Sequence, residues 1–166
     1  MSLLEILQWP DPRLAQDCEP VRDFGVAASL ADDMLETMYA APGRGLAAPQ
    51  VGKLLRMFVM DVDWKEGERH PLVFVNPEIV ANGEGIIESV EGCLSIPGIE
   101  TVVERSEWVE LRWTNLDGTK SRSRFDGFPS RCVQHEMDHL SGLVTFDRMS
   151  GAARVAAEKR FQEVNS

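Results

Sequence analysis

The run His135-Glu136-Met137-Asp138-His139 constrains this chain more than any other feature. On a helix, residues four apart share one face, so both imidazoles can reach one metal ion. The glutamate beside the first can then hold and deprotonate a water bound there. The 166 residues contain only three histidines, and two of them keep this spacing. A fold that uses the motif must bring a third protein ligand to this helix from elsewhere and leave one coordination position open. The surrounding residues favour a helix. Pro129 suits a first helical position, Val133, Met137 and Leu140 follow at helical intervals, and Gly142 is a natural stop.

Three sources for the third ligand are present. A metzincin-like HExxHxxGxxH has its glycine at Gly142 but ends on Thr145, a poor ligand. A gluzincin-like site would draw Glu158 or Glu163 from a following helix, yet Lys159 and Arg160 beside them read as an ordinary solvated face. The third source is Cys93 in the glycine-flanked VEGCLSIPG of residues 90–98; its thiolate would be a strong ligand for a borderline metal. A single cysteine is as readily a small buried hydrophobe, so spacing alone leaves this choice open. Cys18 and Cys132 lack such flanks, although Cys132 precedes His135 by three residues and can line the same face.

Breakers and periodicity set the organisation. Pro10, Pro12 and Pro20 make the stretch from Ile6 to Val21 irregular, and Leu30, Met34, Leu35 and Met38 predict an amphipathic helix from about Val26 to Ala40. Gly43 to Gly52 carries too many breakers to be a helix interior. Short apolar runs at 56–62, 72–75, 101–103 and 108–113 read as strands, and the turn Asn115–Gly118 closes a hairpin onto residues 121–125. A last helix, with Ser150 placed to cap it, is expected over residues 151–164. The order of helix, strands and two helices predicts an α+β fold and a single domain over residues 1–166.

Composition excludes several classes. At 43% hydrophobic residues the chain can bury a core, and no run approaches a membrane span. The N-terminus lacks a signal peptide's basic start and apolar run. With 17 basic and 27 acidic residues, a net charge of −10 argues against direct binding of nucleic acid or anionic lipid. Three cysteines without framework spacing fit a reducing compartment.

Three separated segments, GRGLAAPQ at 43–50, EGCLS at 91–95 and QHEMDH at 134–139, resemble the three motifs of the peptide deformylase family, in its order and spacing. The opening ILQWPDPRL is also similar to that family's N-terminus. The resemblance implies small antiparallel sheets packed around a central metal-binding helix, with a C-terminal helix. It implies hydrolysis of the N-terminal formyl group from N-formylmethionine of new proteins, with release of formate. By the same resemblance Cys93, His135 and His139 hold one divalent ion, typically Fe²⁺, which zinc, nickel or cobalt can replace. Glu136 is then the general base and acid, and Gln50 and the Leu94 backbone N–H stabilise the oxyanion. Gly45, Arg44 and Glu91 fall around the peptide groove, Glu91 and Asp138 being also candidates to orient a metal-bound histidine. Asp138 would otherwise sit on the solvent side, and Arg105 is a candidate partner for Glu91.

Two positions depart from the family pattern: Arg44 replaces an apolar residue in the first motif, and Glu100 stands where relatives carry arginine or an apolar residue. They motivate two alternatives, a hydrolase of another small N-acyl amide on the same scaffold and a non-catalytic paralogue that binds metal or peptide. The resemblance further implies the N-terminus of nascent chains as partner, transient ribosome proximity at most, no membrane, and a bacterial cytoplasm or organellar matrix as location. The basic residues Arg148, Arg154, Lys159 and Arg160 near the C-terminus are offset by Glu158 and Glu163, so tight ribosome docking is not expected.

Overall fold

Helix α1, Phe24–Ala40, opens two residues before the apolar period begins. The reason is a cap: the Asp23 carboxylate accepts the backbone N–H groups of Gly25 and Val26. The computed structural model describes residues 2–166. Leu30, Met34 and Met38 on α1 are buried, as the period predicts. The glycine-rich segment then divides into strand β1, Gly45–Ala47, and a 3-10 turn, Ala48–Val51.

Strands β2 (Met57–Met60), β3 (Leu72–Asn82), β6 (Trp108–Thr114) and β7 (Lys120–Asp126) join β1 in an antiparallel sheet of order β1-β2-β3-β6-β7. All four residues of β2 are buried because the sheet is covered on both faces. Met57 and Val59 pack with α1, while Phe58 and Met60 pack with Val133 and Leu140 of helix α2, Gly127–Leu140. Strands β4 (Ile86–Cys93) and β5 (Ile96–Ser106) form a separate ribbon whose tip is the two-residue turn Leu94-Ser95. Helix α3, Gly151–Val164, lays Ala157 and Phe161 against Ile96, Leu7 and Phe146. The α+β class and the central helix stand as expected.

Several details differ from the sequence reading. Strand β3 continues through Asn76-Pro77 because a register shift between Val75 and Glu78 absorbs the proline. Asn76 takes a left-handed φ of 50° there, its side chain accepting from Val21 N–H and donating to Val21 C=O. Strand β4 was not foreseen. Helix α2 starts at Gly127, so Pro129 is its third residue; its missing N–H still falls among the first four, which need no helical partner. Ser150 sits at the N-cap of α3, but its side chain makes no capping hydrogen bond. Gly142, with φ of 76°, ends α2 where an added Cβ would lie 2.8 Å from the Ala15 backbone, so both its conformation and its neighbour require glycine.

Candidate metal centre and groove

Helix α2 is amphipathic in an unusual sense: Val133 and Leu140 face the sheet, and His135 and His139 face the β4–β5 ribbon. Cys93 ends β4 immediately before the tight turn, which carries its thiol to the helix. One ligand atom each from Cys93, His135 and His139 lies within 4.8 Å of the others, and Cys93 Sγ is 3.5 Å from His139 Nε2. A tetrahedral ion with a metal–sulfur distance near 2.3 Å and a metal–nitrogen distance near 2.0–2.1 Å requires a sulfur–nitrogen edge of about 3.5 Å. The donor set therefore fits a divalent cation of borderline softness. Among the described residues no other group of three His, Cys, Asp or Glu side chains converges in this way. Glu158 instead faces Arg154 on α3, and Thr145 is buried in the 3-10 turn Thr145–Arg148.

His135 is oriented from behind, whereas His139 Nδ1 is buried without a hydrogen-bond partner among the described residues. His135 Nδ1 lies 2.8 Å from Glu91 Oε1, leaving Nε2 for the centre. Glu91 also receives Arg105 through Nε and Nη2 at 2.9 and 2.8 Å. The remaining Arg105 nitrogen donates to Asp138 at 2.6 Å, and Asp138 takes Arg148 as well. Burial opposes the charged form of Glu91, but the hydrogen bonds from Arg105 and His135 outweigh it and hold its carboxyl at about 2. Burial, together with the charges of His135 and Arg105, pushes His139 well below the ordinary histidine range. Two sequence assignments change. Glu91 has both oxygens engaged by Arg105 and His135, so its carboxylate stands behind a metal ligand while its edge lines the groove. Asp138 is buried between two arginines rather than placed toward solvent.

Glu136 is 4% exposed, and its Oε1 has no hydrogen-bond partner among the described residues. Burial, reinforced by Glu91 and Asp138 and opposed by His135 and Arg105, raises its carboxyl to about 7. Its other oxygen is confined by β1, since a Cβ on Gly45 would stand 2.5 Å from Oε2. Gln50 is buried in the 3-10 turn: its Oε1 accepts Ala47 N–H at 2.9 Å, which aims Nε2 at Ser95 Oγ, 3.0 Å, and at Cys93 Sγ, 3.7 Å. The Leu94 N–H, at the ribbon tip, has no backbone acceptor among the described residues.

Gln50, Leu94 and Glu136 line a cavity of about 760 Å³ that is also bounded by residues 41–45, 89–94 and 96–100. Arg44 borders it without projecting a free charge inward, because Nε donates to Val62 C=O and Nη2 pairs with Glu66. Glu100 lies exposed on the lining. Cys132 shares the lining beside Glu136, its thiol raised by burial and kept neutral. Sequence reasoning missed Ser95, whose hydroxyl holds Gln50, and Arg148, which closes the ion-pair chain on Asp138. Neither carries a local signal: Ser95 acts through Gln50, 45 residues away, and Arg148 joins Asp138 in a chain that begins at Arg105.

A family model described as polypeptide deformylase matches residues 3–155. The peptide deformylase of Afipia carboxidovorans is 44% identical over 162 residues, covering 97% of this chain and 95% of that protein. That of Alkalilimnicola ehrlichii is 44% identical over 165 residues, covering 99% and 92%. Among solved structures, a peptide deformylase from Legionella pneumophila superposes with a TM-score of 0.91 at 37% identity, covering 98% of this chain and 95% of that one. A peptide deformylase from Synechococcus elongatus in complex with actinonin gives a TM-score of 0.87 at 37% identity, covering 95% and 87%.

Proposed function

The chain belongs to the polypeptide deformylase family, metal-dependent hydrolases acting on formylmethionine peptides, and from that premise we propose how its own residues divide the work. Cys93, His135 and His139 hold one divalent cation, Fe²⁺ in the cell, with zinc, nickel or cobalt as substitutes. A cation held there supplies Lewis acidity, lowering the pKa of a bound water towards about 7 and polarising the formyl carbonyl. The single thiolate leaves the centre positively charged, which favours the anionic transition state.

Glu136 takes the proton of the attacking water as its oxygen adds to the formyl carbon. When the carbon–nitrogen bond breaks, Glu136 returns that proton to the departing amine, and formate leaves. A carboxyl raised by burial suits both halves of this cycle, since it neither holds nor refuses the proton strongly near neutral pH. Gln50 Nε2 donates to the carbonyl oxygen as it gains charge, and the Leu94 N–H, without a backbone partner of its own, is the second donor. Glutamine suits this position because its amide donates without adding a charge beside the cation.

Gly45 and Arg44 border the peptide on the β1 side. Glycine at 45 leaves the Glu136 carboxylate its seat, and Arg44 fastens the neighbouring loop. Glu91 acts one step back, as the positioning residue of His135. The whole chain works as one unit on the N-termini of nascent polypeptides in a bacterial cytoplasm or organellar matrix. Contact with the ribosome is transient, since Arg148 is engaged by Asp138 and Arg154 by Asp147 and Glu158. Among the described residues no helix is long and apolar enough to cross a membrane.

The observation that carries this reading is the convergence of Cys93 with both histidines beside a buried carboxylate that has one oxygen unpartnered. The test is formate release by protein loaded anaerobically with Fe²⁺, or with Ni²⁺, from formyl-Met-Ala-Ser and from a formyl-amide lacking methionine. Release from the first alone, lost in Glu136→Gln at full metal occupancy, is expected. No release despite bound metal, or preference for the second substrate, overturns it.

A further inference from the structure

The charged side chains of the groove are unevenly matched, and we propose that Lys65 and Arg131 select peptides with an acidic side chain on the residues that follow the formylated one. This rests on the deformylase reading above. Of the charged groups lining the cavity, Glu91 is engaged by Arg105 and His135, Glu136 serves the reaction, and Arg44 is paired with Glu66. Lys65 and Arg131 on one hand and Glu100 on the other have no ion-pair partner among the described residues. Two unmatched cations against one anion is the reverse of the chain's overall balance of −10.

Neighbouring residues hold the segments that carry the two cations. Arg131 lies four residues before His135 on α2, about 6 Å along the helix, and lines the same cavity. Its guanidinium lies 5.6 Å from the Phe128 ring, and that of Arg44 lies 5.5 Å from the same ring. Lys65 is carried by the loop of residues 62–70, which is fastened to the groove at several points. Arg44 binds Val62 C=O and Glu66, and Trp64 Nε1 donates to Gly43 C=O at 2.9 Å. Further along, Arg69 stacks 3.9 Å from the Tyr39 ring, and Tyr39 donates to Asp61 at 2.6 Å. Arg44 thus holds the loop that presents Lys65.

The experiment uses the full chain loaded with Ni²⁺ and two peptide series, formyl-Met-X-Ala and formyl-Met-Ala-X, with X as Asp, Glu, Asn or Lys. At about 50 mM salt, kcat/KM for Asp or Glu should exceed that for Lys by about threefold to thirtyfold in at least one series, the range expected for two partly exposed charge pairs. At about 500 mM salt the ratio should shrink. Lys65→Glu with Arg131→Glu should reverse the ratio, and Glu100→Gln should widen it. Lys65→Gln and Arg131→Gln singly should each narrow it, which keeps the test decisive if the double variant does not fold. Formate release from all peptides with equal constants, or a Lys preference, overturns charge selection while leaving deformylation intact. Release from none overturns both.

Discussion

Replacing Gly45 by alanine tests the seat of the proposed general base. The new methyl carbon would lie 2.5 Å from Glu136 Oε2, 3.0 Å from its Cδ and 3.1 Å from Cys132 Sγ, whereas ordinary contact begins near 3.4 Å. The carboxylate must therefore retreat by about 0.9 Å, and Cys132 blocks the neighbouring space. Displacing a reacting group by about 1 Å can lower the rate on the order of 100-fold, or about 2.7 kcal/mol of barrier. Overpacking in a buried site costs about 1–3 kcal/mol of stability. The expected result is a Gly45→Ala protein, folded at 25 °C and retaining one metal per chain, with kcat/KM for formyl-Met-Ala-Ser down about 100-fold and its melting point lowered. Gly67→Ala, whose methyl would enter open space, is the control and should stay within about twofold. Gly45→Ala activity within threefold of the parent, with Glu136 still required, would refute the placement of that carboxylate.

Gln50→Ala should lower kcat by on the order of 100- to 1,000-fold in a formate assay at saturating substrate, as loss of an oxyanion donor commonly does; a change only in KM would assign Gln50 to binding. Glu91→Gln should weaken metal retention about 10- to 100-fold in competition with a chromogenic chelator, and unchanged affinity would remove Glu91 as the orienting partner of His135. The Glu91 carboxyl is held at about 2 against an ordinary 4.5. A lowered folded-state value adds stability that is complete above the ordinary value and is lost as pH falls towards the lowered one. The urea midpoint of metal-free protein should thus fall between about pH 4.5 and 2, more steeply than in Glu91→Gln. Parallel profiles would contradict the ion-pair assignment.

The helix bearing both histidines, the α1 stripe and the β6–β7 hairpin were legible because each is encoded locally, by period or by turn chemistry. Strand β4 was not, since IIESVEGC mixes charges with apolar residues and its ribbon leaves Val90 and Val102 exposed in register with each other. Periodicity cannot report a strand whose outward face is apolar. The same holds at the centre. His135, Glu136 and His139 announce themselves by spacing, and Cys93 became persuasive only through the resemblance of its flanks. The roles of Asp138 and Arg148 depend on Arg105, 33 residues away from Asp138 in the chain, and no local pattern encodes that meeting. Arg44 was misleading for a similar reason: its guanidinium is claimed by Val62 and Glu66.

Arg105 grips Glu91 on the ribbon and Asp138 on the helix with one guanidinium, so the two pieces that carry the donors are clamped by protein alone. The donor trio therefore sits on two pieces already tied together before any cation contributes. Loading a cation then has only to draw in side chains, since the backbone that bears them is already joined.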